Sequence, residues 1–91
     1  MSRYTWDLEK ARVNLAKHGV SFEEAESVPD TDLARWVLDP RYAGEDRFLI
    51  TGVSSLGSLL VVVTSERGPR PRIISARRAT KRERHAYETR S

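Results

Sequence analysis

Apolar and polar positions along the chain change period twice, and each change marks a new kind of element. Leu8, Ala11 and Leu15 recur at i, i+3 and i+7, the spacing of one helix face. Asp7 precedes them as an N-cap, and Gly19 follows where a left-handed residue closes a helix. Ser21-Phe22-Glu23-Glu24 then has the form of a capping box, with Val20 and Ala25 placed to staple it. Pro29 and the Pro29-Asp30-Thr31-Asp32 cluster keep this second helix short. Beyond it the period becomes that of strands. Residues 34–38 form a first strand ending at the Asp39-Pro40 turn, and residues 47–51 form a second. Residues 52–57, with two glycines, form a turn. Residues 59–64 are β-branched and apolar on both faces, which suits a central strand, and after Glu66-Arg67-Gly68-Pro69 residues 72–75 form a fourth. Thr80-Lys81-Arg82-Glu83 opens a last helix running through Tyr87. Short connections pair neighbouring strands antiparallel, so the expected architecture is α+β: two N-terminal helices, an antiparallel sheet of three to four strands with helices on one side, and a C-terminal helix.

Composition narrows the class. The chain has 91 residues, 38% hydrophobic and 32% charged, which fits one globular domain over 1–91 with a heavily solvated surface. It has no cysteine, so disulfides and thiolate chemistry are excluded and a cytoplasmic location is expected. The longest apolar run, Leu59-Leu60-Val61-Val62-Val63, is far short of the roughly 20 residues of a membrane span, and the opening segment is not an apolar signal sequence.

Charge is distributed unevenly. Residues 1–45 carry six basic and nine acidic side chains, whereas residues 46–91 carry ten basic and four acidic ones. From Arg67 onward nine basic residues, eight of them arginine, face two acidic ones. Such a cluster is either a solvated surface or a binding face for a polyanion, and arginine's planar fork suits phosphate or carboxylate.

Three stretches resemble a known family, the BrnT-type toxins of bacterial type II toxin–antitoxin systems, within the RelE-like superfamily. The first is Trp6-Asp7, Lys10, Asn14 and Lys17-His18-Gly19-Val20 running into Phe22-Glu23-Glu24-Ala25. The second is Gly44-Glu45-Asp46-Arg47 followed by Gly52. The third is Arg72-Ile73-Ile74-Ser75-Ala76-Arg77-Arg78-Ala79-Thr80 with Glu83-Arg84 and Tyr87-Glu88. The resemblance implies a RelE-like fold, an endoribonuclease that blocks translation, and a cognate BrnA-like antitoxin. It also implies that the antitoxin binds DNA, so that promoter DNA is reached only through the complex.

Metal-free RNA cleavage uses the substrate's 2′-hydroxyl as nucleophile and needs a base, an acid and cations around the phosphorane. The sequence has no metal-ligand spacing and no GxxxxGK[ST] or GxGxxG loop, so no metal and no cofactor is expected. His18, at the end of the first helix, is an acid–base candidate or a cap on the last carbonyls. Lys17 beside it is a phosphate contact or a solvated charge. Glu45 and Arg47 share one face of a strand and could serve as base and clamp, or as an ion pair. Arg77, Arg78 and Arg72 are expected on RNA phosphate, Arg72 otherwise being a stem packed along the sheet; a spacing of five puts Arg72 and Arg77 on opposite faces of an unbroken strand, and a bulge or strand end near Ser75 would relax that restriction. Tyr87 is suited to stacking a base or to packing its helix on the sheet. Trp6 and Trp36 are expected as core or interface anchors, and His85 as solvated. The catalytic set is therefore His18, Glu45, Arg47 and Arg77, and the RNA-binding set Lys17, Arg72, Arg78 and Tyr87. The alternative is a basic module that binds nucleic acid or docks an antitoxin without catalysis.

Overall fold

A computed structural model describes residues 3–42, 44 and 46–89. Helix α1 spans Leu8–His18; the Asp7 carboxylate accepts from the Lys10 N–H, and Gly19, at φ 70°, donates its N–H to the Leu15 carbonyl. A residue with a Cβ would be strained at that φ, which is why the helix stops there. The stripe that meets the core differs from the expected one. Leu8 and Leu15 are exposed, and the inward positions are Ala11, Asn14 and His18. The i, i+3, i+7 spacing is kept but its centre is a polar residue.

Helix α2 is the single turn Phe22–Ala25. Ser21 Oγ accepts from the Glu24 N–H at 3.0 Å, half of a capping box. The Glu24 carboxylate turns outward instead and accepts from Ser54 Oγ at 2.6 Å, tying α2 to the sheet. Phe22 and Ala25 are fully buried, with Val20 before them and Val28 after.

Four strands, β1 (Arg35–Leu38), β2 (Arg47–Val53), β3 (Leu59–Ser65) and β4 (Arg72–Arg78), form an antiparallel meander in the order β1-β2-β3-β4. Helix α3 spans Lys81–Thr89. Both β2 and β4 run further than their sequence pattern suggested. The extension of β4 depends on a register shift between Val63 and Thr64: Thr64 pairs with Ile73 and Val63 with Ser75, leaving Ile74 as the extra residue of a bulge.

Strand alternation divides the sheet into two faces. Trp36, Phe48, Ile50, Leu60, Val62, Ile73 and Ala76 join Val20, Phe22, Ala25, Val28 and Tyr4 in the core beneath α1 and α2. Trp36 meets Phe48 edge-on at 5.4 Å, and Trp6 meets Phe22 at 6.0 Å, so both tryptophans anchor this core. The outer face carries Arg35, Leu49, Thr51, Val61, Val63 and Arg77. Helix α3 flanks this outer face, so the helices do not lie on one side as expected. The reason is local. None of the α3 side chains is buried, and the helix is attached by Arg77 to Glu83 and by the Tyr87 hydroxyl to the Leu33 carbonyl. Those partners belong to the outer side.

The outer backbone edge of β4 is covered in two ways. Thr5 bridges to it in parallel, donating to Pro71 O and accepting from Ile73 N–H, each at 2.9 Å. Further along, Asn14 Oδ1 accepts from the Ala76 N–H at 3.2 Å while Nδ2 donates to Ala76 O at 2.8 Å and to Val20 O at 3.0 Å. A buried primary amide thus plays the part of a neighbouring peptide group. Among the described residues no helix is long and apolar enough to cross a membrane.

Asn14→Leu strands three buried backbone groups, at about 1–3 kcal/mol each before relaxation, so a net loss of about 3 kcal/mol is expected. Asn14→Asp keeps the acceptor but sets a carboxylate against two carbonyls, and should cost at least as much. Urea denaturation followed by the fluorescence of Trp6 and Trp36 measures both.

Candidate functional site

The bulge at Ile74 decides which arginines share a surface. Arg47 and Arg72 both pair with Ser65, one from each side, so the three form a row across the outer face. Arg77 pairs with Val61, four residues back along β3, and lies on the same face. Without the extra residue, a spacing of five would have put Arg72 and Arg77 on opposite faces. They share a face but not a hollow, since four strand residues set their rows about 13 Å apart.

Around the first row lies a hollow of about 370 Å³ lined by Lys10, Arg47, Ser65, Arg67, Arg70, Arg72 and Ile74. Five of these side chains are cationic, and among the described residues no carboxylate lines the hollow. Lys10 reaches it from α1, Arg47 from β2, and Arg67, Arg70 and Arg72 from the β3–β4 turn and the start of β4. Asp46 holds Arg67 by a 2.6 Å ion pair and accepts the Glu66 N–H through its carbonyl, which fixes the turn against the loop before β2. Behind the hollow, the Arg47 guanidinium lies 4.3 Å over the Tyr42 ring, and its buried Nε has no hydrogen-bond partner.

A second groove, of about 290 Å³, adjoins the first and shares Lys10 and Ile74 with it. Its other lining residues include Val13, Asn14, Lys17 and His18 from α1 and Ser75 from β4. Lys10 and His18 are each i, i+4 neighbours of Asn14 and Lys17 is its i, i+3 neighbour, which makes the groove a consequence of α1 lying along β4. His18 and Lys17 are thereby placed on a track that continues into the cationic hollow.

Arg77 and Tyr87 lie elsewhere. Arg77 donates two parallel hydrogen bonds to Glu83, at 2.7 and 2.9 Å. Glu83 is also the reciprocal half of the α3 capping box, accepting the Thr80 N–H at 2.9 Å while its own N–H donates to Thr80 Oγ1 at 3.1 Å. These bonds, led by the one from Arg77, hold the Glu83 carboxyl down at about 2. Tyr87, Ala86 and Glu83 close over Arg35, Val37, Leu49, Thr51 and Val61, around a smaller space of about 180 Å³. Arg78 pairs with Leu60 on the core side of the sheet and points past Gly19, away from both Arg77 and Arg72. Glu45 lies outside the described residues.

The structure therefore brings Lys17, His18, Arg47 and Arg72 onto one track and leaves Arg77, Arg78 and Tyr87 off it. Lys10, Arg67, Arg70 and Tyr42 complete the surroundings and were not singled out by their chemistry. Arg67, Arg70 and Arg72 alternate with Gly68, Pro69 and Pro71, a turn composition that gathers their side chains, and that was the available signal. Among the described residues no cluster of three or more His, Asp or Glu side chains could hold a metal ion.

Residues 6–83 match the family model described as ribonuclease toxin, BrnT, of type II toxin–antitoxin system. The chain belongs to the BrnT toxin family. Its structure superposes on the 1.1 Å crystal structure of the Brucella abortus ribonuclease toxin BrnT with a TM-score of 0.66 and 25% identity, covering 86% of this chain and 96% of that one. No curated protein sequence matches the chain. The α+β fold is thus that of BrnT, for which RelE-like is an approximate description. The family match includes every residue of the cationic hollow and ends at Glu83, so Tyr87 and the rest of α3 lie beyond it.

The depressed Glu83 carboxyl links stability of this BrnT chain to pH. A glutamate of the unfolded chain titrates near 4.5, against about 2 in the folded one, so the pair's contribution is complete above about pH 4.5 and is lost as pH falls toward 2. With the Glu83 side chain 35% exposed, solvent screening reduces that contribution to about 1 kcal/mol. Glu83→Gln should destabilise the protein by about this much at pH 6 and by much less at pH 2.5, as read by denaturation midpoints at the two values.

Proposed function

We propose that this BrnT-family protein is a metal-independent endoribonuclease that cuts RNA laid along the track from His18 to the cationic hollow. Five cations converging on one hollow, next to a groove holding a histidine, is the observation that carries the proposal. The ribose 2′-hydroxyl attacks the adjacent phosphorus, the bond to the 5′-oxygen breaks, and a 2′,3′-cyclic phosphate and a free 5′-hydroxyl result. Arg47 and Arg72, facing each other across Ser65, neutralise the phosphorane as negative charge builds on its oxygens. His18, two turns of α1 beyond Lys10 in the adjoining groove, is the group on the track able to exchange a proton with the RNA. Lys10, Lys17, Arg67 and Arg70 hold flanking phosphates. Arg77 supports the site from a distance by anchoring α3.

Cleavage of messenger RNA in the cytoplasm would stop translation. A cognate antitoxin of the BrnA type neutralises the toxin by covering the cationic hollow with an acidic segment, since opposite charge both speeds and orients such docking. DNA binding belongs to that antitoxin, and promoter DNA is met only in the complex.

Purified protein should shorten single-stranded RNA in buffer containing EDTA. Arg47→Ala should lower the rate about 100-fold with the fold intact by circular dichroism. Lys10→Ala and Arg70→Ala should each weaken binding of an uncleavable 2′-deoxy oligonucleotide and reduce the salt slope of log affinity by about 0.7, the value for one phosphate contact on a single strand. Salt-dependent binding with RNA of unchanged length would reduce the hollow to a binding surface.

A further inference from the structure

The turn after β1 ends in a device that acts on Arg47. Asp39, Pro40, Arg41 and Tyr42 form a β-turn: the Tyr42 N–H donates to Asp39 O at 3.2 Å, and the Asp39 carboxylate accepts the Arg41 N–H at 2.9 Å. Asp39 is itself fixed to β2, its N–H donating to Arg47 O at 2.9 Å. The turn therefore folds back over the start of β2 and lays the Tyr42 ring against the Arg47 guanidinium, 4.3 Å from ring centre to Cζ. Arg47 accepts a cost there, because its Nε is buried without a hydrogen-bond partner. A long flexible arginine free to choose would turn that nitrogen to water. Stacking on the ring, with burial of Nε, leaves the terminal nitrogens as the donors available to the hollow that Arg47 lines.

A second feature serves the same arrangement. Tyr42 lies directly on Gly44, where a Cβ would overlap Cε2 of the ring and come within 3.1 Å of its hydroxyl oxygen. The φ of Gly44 is not in the left-handed region, so a side chain there would push the Tyr42 ring aside rather than strain the backbone.

We propose that Tyr42 is a positioning residue for RNA cleavage: it holds the Arg47 guanidinium plane toward the scissile phosphate, and Gly44 leaves the room that this requires. The inference rests on the nuclease reading above, and it concerns a residue acting through Arg47 rather than on the substrate. The ring's face does the work, so the phenolic hydroxyl is dispensable.

The test is a double-variant cycle in the full chain, with two readouts: turnover of a single-stranded RNA, and affinity for a 2′-deoxy oligonucleotide of the same sequence. Tyr42→Leu should lower turnover about tenfold and affinity about threefold. Tyr42→Phe should remain within twofold of the parent in both. In an Arg47→Ala background, Tyr42→Leu should change neither, because the group it positions is gone. Gly44→Ala displaces the ring without removing it and should match Tyr42→Leu, which also covers the case in which that variant fails to fold. Parental turnover and affinity in Tyr42→Leu, or an effect that persists in full in the Arg47→Ala background, would overturn the proposal. If the parent binds RNA and cuts none, the nuclease reading falls, and the affinity cycle alone decides whether Tyr42 positions Arg47.

Discussion

One side-chain amide fixes the relation on which both core and site depend. Asn14 meets the backbone of Ala76 with an acceptor and a donor, as a neighbouring strand would, and spends its second donor on Val20. The edge of β4 is thereby closed without a fifth strand, helix α1 is locked at one height along it, and the turn into α2 is tied to the same point. A hydrophobic residue at position 14 could pack but could not set this register, because packing alone tolerates sliding whereas three directed hydrogen bonds do not. Lys10 and His18 stand one turn to either side of Asn14, so the amide also sets where they meet Ile74 and Ser75.

The bulge is the complementary constraint from the sheet. Ile73 must face the core and Ala76 must also face it, and an uninterrupted strand cannot satisfy both at a spacing of three. Inserting Ile74 resolves the conflict and turns Arg72 to the outer face beside Arg47. Arg72 and Arg77 are thus displayed on one face by a solution to a packing problem. The outer face is left with two distinct ends. At one, guanidinium groups face one another around an open hollow; at the other, a guanidinium is consumed by Glu83 to seat a helix that buries nothing of its own.

Much of this was readable from local chemistry. Asp7, Gly19, Ser21 and Thr80 cap what they were expected to cap, and the strand order follows from short connections. The misreadings share a cause: they concern polar groups whose partners are remote in sequence. The stripe of α1 was assigned to Leu8 and Leu15 because apolar residues usually mark the buried face, yet its centre is Asn14, whose partner is 62 residues away. The seating of α3 was missed because Glu83 satisfies a local capping rule and a tertiary ion pair at once, and only the first has a sequence signature. Of the candidate site, Lys17 and His18 line one groove and Arg47 and Arg72 the hollow that adjoins it. Arg78 adjoins Arg77 in β4 and so takes the opposite face.

The cationic hollow is expensive for so small a protein. Lys10, Arg47, Arg67, Arg70 and Arg72 crowd like charges, and Arg47 adds a buried nitrogen with no partner. Like charges around a hollow destabilise the free chain, and the margin of a domain this size is only several kcal/mol. The molecule contains the means to neutralise them elsewhere: Glu66 is committed to Arg3, Tyr4 and Thr64, and Glu83 to Arg77. Asp46 is matched to Arg67, and the Asp39 carboxylate, which also acts on Arg47, accepts its hydrogen bonds from Arg41. An anion entering the hollow relieves that repulsion, and on the proposed function two anions would do so, an RNA backbone and an acidic segment of an antitoxin. On that proposal each would stabilise the same hollow by the same term, and each would exclude the other without any conformational signal between them. Under the proposed function, competition for one set of guanidinium groups would be sufficient to make neutralisation of the toxin and protection of RNA a single event.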